Sequence, residues 1–113
     1  MEREERPWGR YQVLEEGETY KVKRIEVDPG KRLSLQSHNK RSEYWVVVKG
    51  PAGIVLDDKD FLLDEGKMVH IPIGTKHRLY NTNNYTIKVI EVQYGTYFGE
   101  DDIIRYEDDY KRV

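Results

Sequence analysis

Apolar residues in this chain recur at alternate positions or in short unbroken runs. Nowhere do they follow the 3.6-residue spacing of a long amphipathic helix. Runs rich in Val, Ile, Tyr and Leu occupy residues 20–27, 33–38, 43–48, 53–56, 61–63, 68–71, 77–80 and 85–93. Turn-forming residues separate them: Asp28-Pro29-Gly30, Asn39-Lys40-Arg41, Gly50-Pro51, Pro72-Ile73-Gly74 and Asn81-Thr82-Asn83-Asn84. Each run predicts a strand, and Asp57-Asp58-Lys59-Asp60 predicts a hairpin turn. Many short strands at roughly 8–12-residue spacing predict an all-β sandwich or barrel. The pattern divides one domain (1–113) into an N-terminal arm (1–19), a barrel core (20–94) and a C-terminal tail (95–113). The acidic stretch of the tail, from Gly99 through Glu100 to Tyr106, predicts a short helix or a packed arm.

Composition narrows the classes of function. A chain of 113 residues, 37% hydrophobic and 35% charged, affords one thin core. The net charge of −2 and the lack of a basic run give no footprint for nucleic acid. There is no cysteine, which excludes a thiolate nucleophile, a disulfide framework and a zinc finger. The N-terminus is charged from Glu2 onward and does not read as a signal peptide. The longest strongly apolar run, residues 44–48, is far too short for a membrane span. The expectation is a soluble, cytoplasmic protein with no nucleic-acid or membrane partner.

Two stretches carry candidate chemistry. In the first, Gly30 precedes Gln36-Ser37-His38, then Glu43, then Gly50; in the second, Gly66 precedes Pro72-Ile73-Gly74, then His77, then Asn81. Residues i and i+2 of a strand share a face, so Gln36 and His38 project together. Glu43 opens the next strand and can face back toward His38. Pro72 and Gly74 make a tight turn that lets His77 enter from another strand. Two imidazoles, one carboxylate and one amide oxygen supply four donors for a divalent ion. Their summed charge of about −1 leaves the ion a Lewis acid. By spacing alone, structural histidines explain the pattern more readily than a metal site.

The two stretches resemble the paired signature motifs of the cupin superfamily, whose members are double-stranded β-helix (jelly-roll) barrels. Every fixed spacing matches. Gln36 stands where most cupins have a first histidine. The resemblance implies that one divalent metal ion is held by Gln36, His38, Glu43 and His77, with zinc expected first and manganese, iron, cobalt or nickel as alternatives. Further segments point to one branch of the superfamily. Arg6-Pro7-Trp8-Gly9, residues 20–25, residues 33–36, residues 43–48, Ile90-Glu91-Val92-Gln93 and Gly99-Glu100-Asp101-Asp102-Ile103 resemble the type II mannose-6-phosphate isomerase family. In that family the cupin domain is often the C-terminal half of a bifunctional mannose-1-phosphate guanylyltransferase. The resemblance covers the cupin half alone, so it implies no guanylyltransferase activity. Asn39, Lys40 and Tyr44 stand where the family usually has further histidines.

This resemblance implies isomerisation of mannose 6-phosphate to fructose 6-phosphate through an enediolate, and a homodimer. A different metal-dependent activity and a non-catalytic sugar-binding module are the competing readings. Such an isomerase needs a base for the C2 proton and a cation for the phosphate. Strand parity turns Lys23 to the face of Ile25 and Val27, as a substrate contact, as a base, or as a side chain leaving by the barrel end. Parity places Glu91 with Ile87 and Val89, a candidate proton shuttle, although Ile90 and Val92 are apolar too. Arg105 follows the acidic tail, as a phosphate ligand or as an ion-pair partner of Asp101 or Asp102. Trp45 and Val47 share the face of Glu43 and are expected to form an apolar wall. His70 is expected to be structural, and Arg78 to point away from the metal.

Overall fold

The alternation of inward apolar and outward polar residues resolves into two antiparallel sheets in a computed structural model, which describes residues 3–99 and 101–110. Glu100 of the acidic stretch and the charged terminal Glu2 lie outside the described residues. The strands are β1 (Arg3–Arg6), β2 (Gly9–Glu16), β3 (Tyr20–Val27), β4 (Leu35–Ser37), β5 (Arg41–Lys49), β6 (Ala52–Leu56), β7 (Lys59–Leu63), β8 (Met68–Ile71), β9 (His77–Tyr80), β10 (Ile87–Gly95) and β11 (Ile104–Glu107). One sheet has the order β1-β2-β3-β10-β5-β8, the other β11-β4-β9-β6-β7. No helix occurs among the described residues.

Three inward rows cross the larger sheet and explain where the cavity lies. Ile25, Val89 and Val47 form the first, Lys23, Glu91 and Trp45 the second, and Lys21, Gln93 and Glu43 the third. The inward face of each strand thus passes from apolar to charged along its length. Val27, Val47, Ile54, Leu79, Ile87 and Val89 fill the apolar end with no exposure. The opposite end holds buried Lys23, Arg41, Glu43, Glu91 and Gln93. One end of the barrel is a dry core and the other a polar chamber.

The structure corrects several boundaries. Residues read as an arm form β1 and β2, which extend the larger sheet beyond β3. Arg3-Glu4-Glu5-Arg6 carries no apolar alternation, because an edge strand needs none and charge there discourages pairing with other chains. The tail is not a helix; it packs, and does so as a strand, with β11 paired to β4 and Arg105 in register with Gln36. Arg41 is not in a turn but opens β5. Strand β10 starts at Ile87 rather than 85, because the Asn81 amide donates to the Tyr85 carbonyl (2.7 Å) and takes that group from the ladder. The 57–60 turn tightens to two residues, with Leu56 opposite Lys59 and Asp57 at φ 54°.

One glycine fixes how the first hairpin docks. Gly9 has φ +150°, and a Cβ there would stand 2.0 Å from the Glu26 carbonyl oxygen on β3. Only a residue without a side chain lets β2 approach β3 at this point. Gly9→Ala is expected to cost about 2 kcal/mol or more. Urea unfolding with a lower midpoint and an unchanged slope would register it.

Candidate functional site

Strand β5 delivers Arg41, Glu43 and Trp45 inward by simple alternation, and all three are buried. The Glu43 carboxylate, 2% exposed, is the hub. Its Oε1 accepts from the Trp45 indole (3.0 Å) and its Oε2 from Arg41 Nε (3.0 Å). His38 Nδ1 lies 3.4 Å from Oε2 and His77 Nε2 lies 3.7 Å from Oε1. Burial pushes the Glu43 carboxyl up, but the charges of His77 and Arg41, with hydrogen bonds from Glu91 and Trp45, outweigh it and hold the group below its ordinary value.

The two imidazoles are set by backbone. Gly74, at φ +81°, lets the Pro72-Ile73-Gly74 turn fold so that its N–H donates to the His38 carbonyl (2.7 Å). At the next residue, the Thr75 carbonyl accepts from His77 Nδ1–H (2.9 Å), which turns Nε2 toward Glu43. Burial lowers the His38 pKa to about 3, and the charges of Arg41 and His77 add to this. His38 is therefore a neutral imidazole at working pH, the form that binds a metal.

One atom from each of His38, Glu43 and His77 falls within 4.8 Å of the others. Donors that share an ion at about 2.0–2.2 Å stand roughly 3–4 Å apart, and both pairs to Glu43 meet that spacing. The buried His38 Nδ1 has no hydrogen-bond partner among the described residues. The donor set therefore fits a divalent cation. Arg41 NH2 donates to His38 Nε2 (2.8 Å), which sets the proton of the neutral imidazole on Nδ1, so ligation through Nδ1 requires a change of tautomer and the loss of that contact. Gln36 lies on the cavity wall and pairs in register with His77.

A cavity of about 240 Å³ opens beside this cluster. Its wall includes all three residues that parity or the tail motif nominated: Lys23, Glu91 and Arg105. Lys23 is 7% exposed, and its Nζ lies 4.2 Å from the centre of the Tyr11 ring. Glu91 accepts from the Gln93 amide (2.6 Å) and from Trp45 Nε1 (3.2 Å). Burial raises its carboxyl to about 7, with the neighbouring Glu43 charge adding and Lys23 and Arg41 opposing. The carboxylate of Asp102 accepts from the backbone N–H groups of Asn39 (3.1 Å) and Lys40 (2.9 Å), while that of Asp101 accepts from the Tyr97 hydroxyl.

Sequence reasoning missed Arg41, Trp8, Tyr11 and Gln93 as wall residues. Arg41 was legible, since it stands two positions before Glu43 and shares its face. Trp8 and Tyr11 belong to the β1–β2 hairpin, Trp8 in its turn and Tyr11 on β2, which the pattern did not reveal. Val47 lies deeper than expected, in the apolar core rather than on the cavity wall. His70 is exposed and stacks on Tyr44 with ring centres 4.5 Å apart, on the outer face of the sheet. Arg78 does point away: it donates to the Leu33 carbonyl (2.8 Å) and to Glu107 (3.1 Å), fastening β11.

Glu91 gives a pH signature. Its folded-state pKa is raised, so with metal removed by chelation its contribution is present below the ordinary carboxyl value and lost as pH rises to about 7. Glu91→Gln removes that dependence. Calorimetry is expected to show the variant gaining on the wild type between about pH 5 and about pH 8. An unchanged difference in Tm across that range would contradict the assignment.

Comparison with known proteins places these features in context. The family model described as "Mannose-6-phosphate isomerase C-terminal" matches residues 2–108. The alginate biosynthesis protein AlgA of Pseudomonas aeruginosa is 51% identical over 96% of this chain, and the mannose-1-phosphate guanylyltransferase ManC of Salmonella typhimurium 46% identical over 96%. The chain spans only 22% of the length of either relative. Among solved structures, a double-stranded β-helix protein from Klebsiella pneumoniae superposes with a TM-score of 0.74 at 18% identity, covering 85% of this chain and 82% of its own. The fold is that of a cupin.

Proposed function

The chain belongs to the mannose-6-phosphate isomerase C-terminal family, and from that premise we propose that it interconverts mannose 6-phosphate and fructose 6-phosphate with the help of one divalent metal ion. The observation that carries this reading is the buried His38, Glu43 and His77 cluster at the wall of a cavity that also presents Glu91, Lys23 and Arg105.

Gln36, His38, Glu43 and His77 would hold the ion. A cation there supplies a Lewis acid that offsets negative charge developing on the substrate oxygens, an effect of several kcal/mol. The rest falls to the chain. Glu91 is the carboxylate that takes the C2 proton and returns it to C1, while the O2 hydroxyl proton passes to O1, so that C2 becomes the carbonyl. Its neighbour Trp45 bridges it to Glu43 and keeps both carboxyls oriented. Lys23, one strand over and in register with Glu91, supplies a positive charge beside that proton transfer. Arg105, carried by β11 to the cavity wall, binds the phosphate, for which a guanidinium is suited by its planar fork of donors.

A coupled assay with mannose 6-phosphate, on metal-stripped and metal-restored protein, tests the reading. Turnover is expected only after restoration, and metal analysis is expected to find about one ion per chain. His77→Ala is expected to lose that ion and at least about a hundredfold in kcat/KM. Full activity in that variant would refute the site. Sugar-phosphate binding without turnover, under every common divalent metal, would favour a non-catalytic binding module instead.

A further inference from the structure

The segment Arg6-Pro7-Trp8-Gly9 takes no part in the chemistry above, yet its structure is unusually constrained. Arg6 and Gly9 pair across a two-residue turn. Trp8 is 6% exposed and packs into the core, and its carbonyl accepts from the Asp28 N–H (2.9 Å). Gly9 allows the hairpin to close against Glu26. The backbone that carries Arg6 is therefore pinned on three sides, and the Arg6 side chain lies on the cavity wall.

The guanidinium is held there as well. Its carbon stands 5.1 Å from the Tyr11 ring centre, NH2 donates to the Tyr11 hydroxyl (3.3 Å), and NH1 donates to the Glu5 carbonyl (3.0 Å). Its carboxylate contact, Glu4 at 3.3 Å, is half exposed and solvent-screened, so it binds weakly. The same Tyr11 ring carries Lys23 Nζ. The formal charges on the cavity wall are Arg6, Lys23, Arg41 and Arg105 against Glu43 and Glu91. Both carboxylates are engaged with Trp45, and Glu43 also with Arg41. The wall therefore favours an anion.

We propose that Arg6 is a phosphate-binding residue of this cavity, that the Arg6–Gly9 hairpin exists to fix its position, and that Arg105 is its counterpart from the other end of the chain. This deepens the reading of the cavity as a sugar-phosphate site and rests on it. The ligand class is a phosphomonoester dianion, which a guanidinium can grip through two parallel N–H donors. Tyr11 acts as the shelf that keeps the guanidinium at the wall.

Calorimetric titration of inorganic phosphate into metal-stripped protein tests the site without any contribution from a phosphate–metal bond. Arg6→Gln is expected to weaken phosphate binding at least about tenfold, or 1.4 kcal/mol. Arg6→Lys is expected to recover part of that loss, and Tyr11→Phe to weaken binding less than Arg6→Gln does. With mannose 6-phosphate and restored metal, Arg6→Gln is expected to raise KM while kcat stays within about threefold. Phosphate affinity that is equal in wild type, Arg6→Gln and Arg6→Lys overturns the proposal, whatever the isomerase assay shows. Arg6-dependent phosphate binding in a protein that never turns over mannose 6-phosphate sustains the anion site and overturns the isomerase reading instead. Should Arg6→Gln fail to fold, the comparison of wild type with Arg6→Lys and Tyr11→Phe decides, and identical phosphate affinity in all three overturns the proposal.

Discussion

A carboxylate with almost no access to water has to be compensated where it stands, and Glu43 imposes that demand on the whole polar end of the barrel. Desolvating an ion costs several kcal/mol unless charge and hydrogen bonds offset it. Arg41 and Trp45 do so from the same strand, because alternation puts i−2 and i+2 on the face of i. His77 does so from outside that strand, and the Gly74 turn, bonded to the His38 carbonyl, brings both imidazoles to the carboxylate. Remove the carboxylate and this group of buried polar residues loses its centre. The same arrangement that balances one buried charge is what makes the cluster a donor set for a cation.

Glu43 and Glu91 show how two carboxyls in one cavity acquire different characters. Glu43 has a guanidinium and an indole on its oxygens and stays ionised. Glu91, one strand away, is pushed toward neutrality by burial first and by the like charge of Glu43 second. Divergence of this kind is what acid–base chemistry at neutral pH needs, since one group can hold charge while the other exchanges a proton. Gln93, buried, donates to the other oxygen of the Glu91 carboxyl from the one that meets Trp45.

The strand-only architecture was legible because the apolar residues fall in short, strand-length runs, and β3, β8 and β9 lie where the pattern puts them. Alternation turned Lys23 inward, since one residue of slip would have exposed Ile25, but it left Glu91 open because Ile90 and Val92 are apolar as well. The motif spacing singled out His38, Glu43 and His77. What could not be read lay where alternation is absent. Charged β1 and the mixed β11 are held by pairing with a neighbouring strand rather than by a buried face of their own. Arg6 closes β1, Trp8 sits in the turn after it and Tyr11 lies on β2, so their contributions became visible only in three dimensions. Arg41 is different: parity reached it, but the turn-like composition of Asn39-Lys40-Arg41 concealed it.

Strand β10 lies between β3 and β5, far from β3 along the chain. Glu91 therefore stands beside Lys23 and Trp45 only after segments from both halves of the chain have met. Pairings of that kind are the slow step in the folding of all-β domains. His38 and Glu43 are local to one another, but His77 and the cavity wall are not. The nascent chain thus holds Gln36, His38 and Glu43 close in sequence, but not His77, before the barrel closes. The full donor set exists only in the closed barrel, unlike small domains that stay unfolded until zinc arrives.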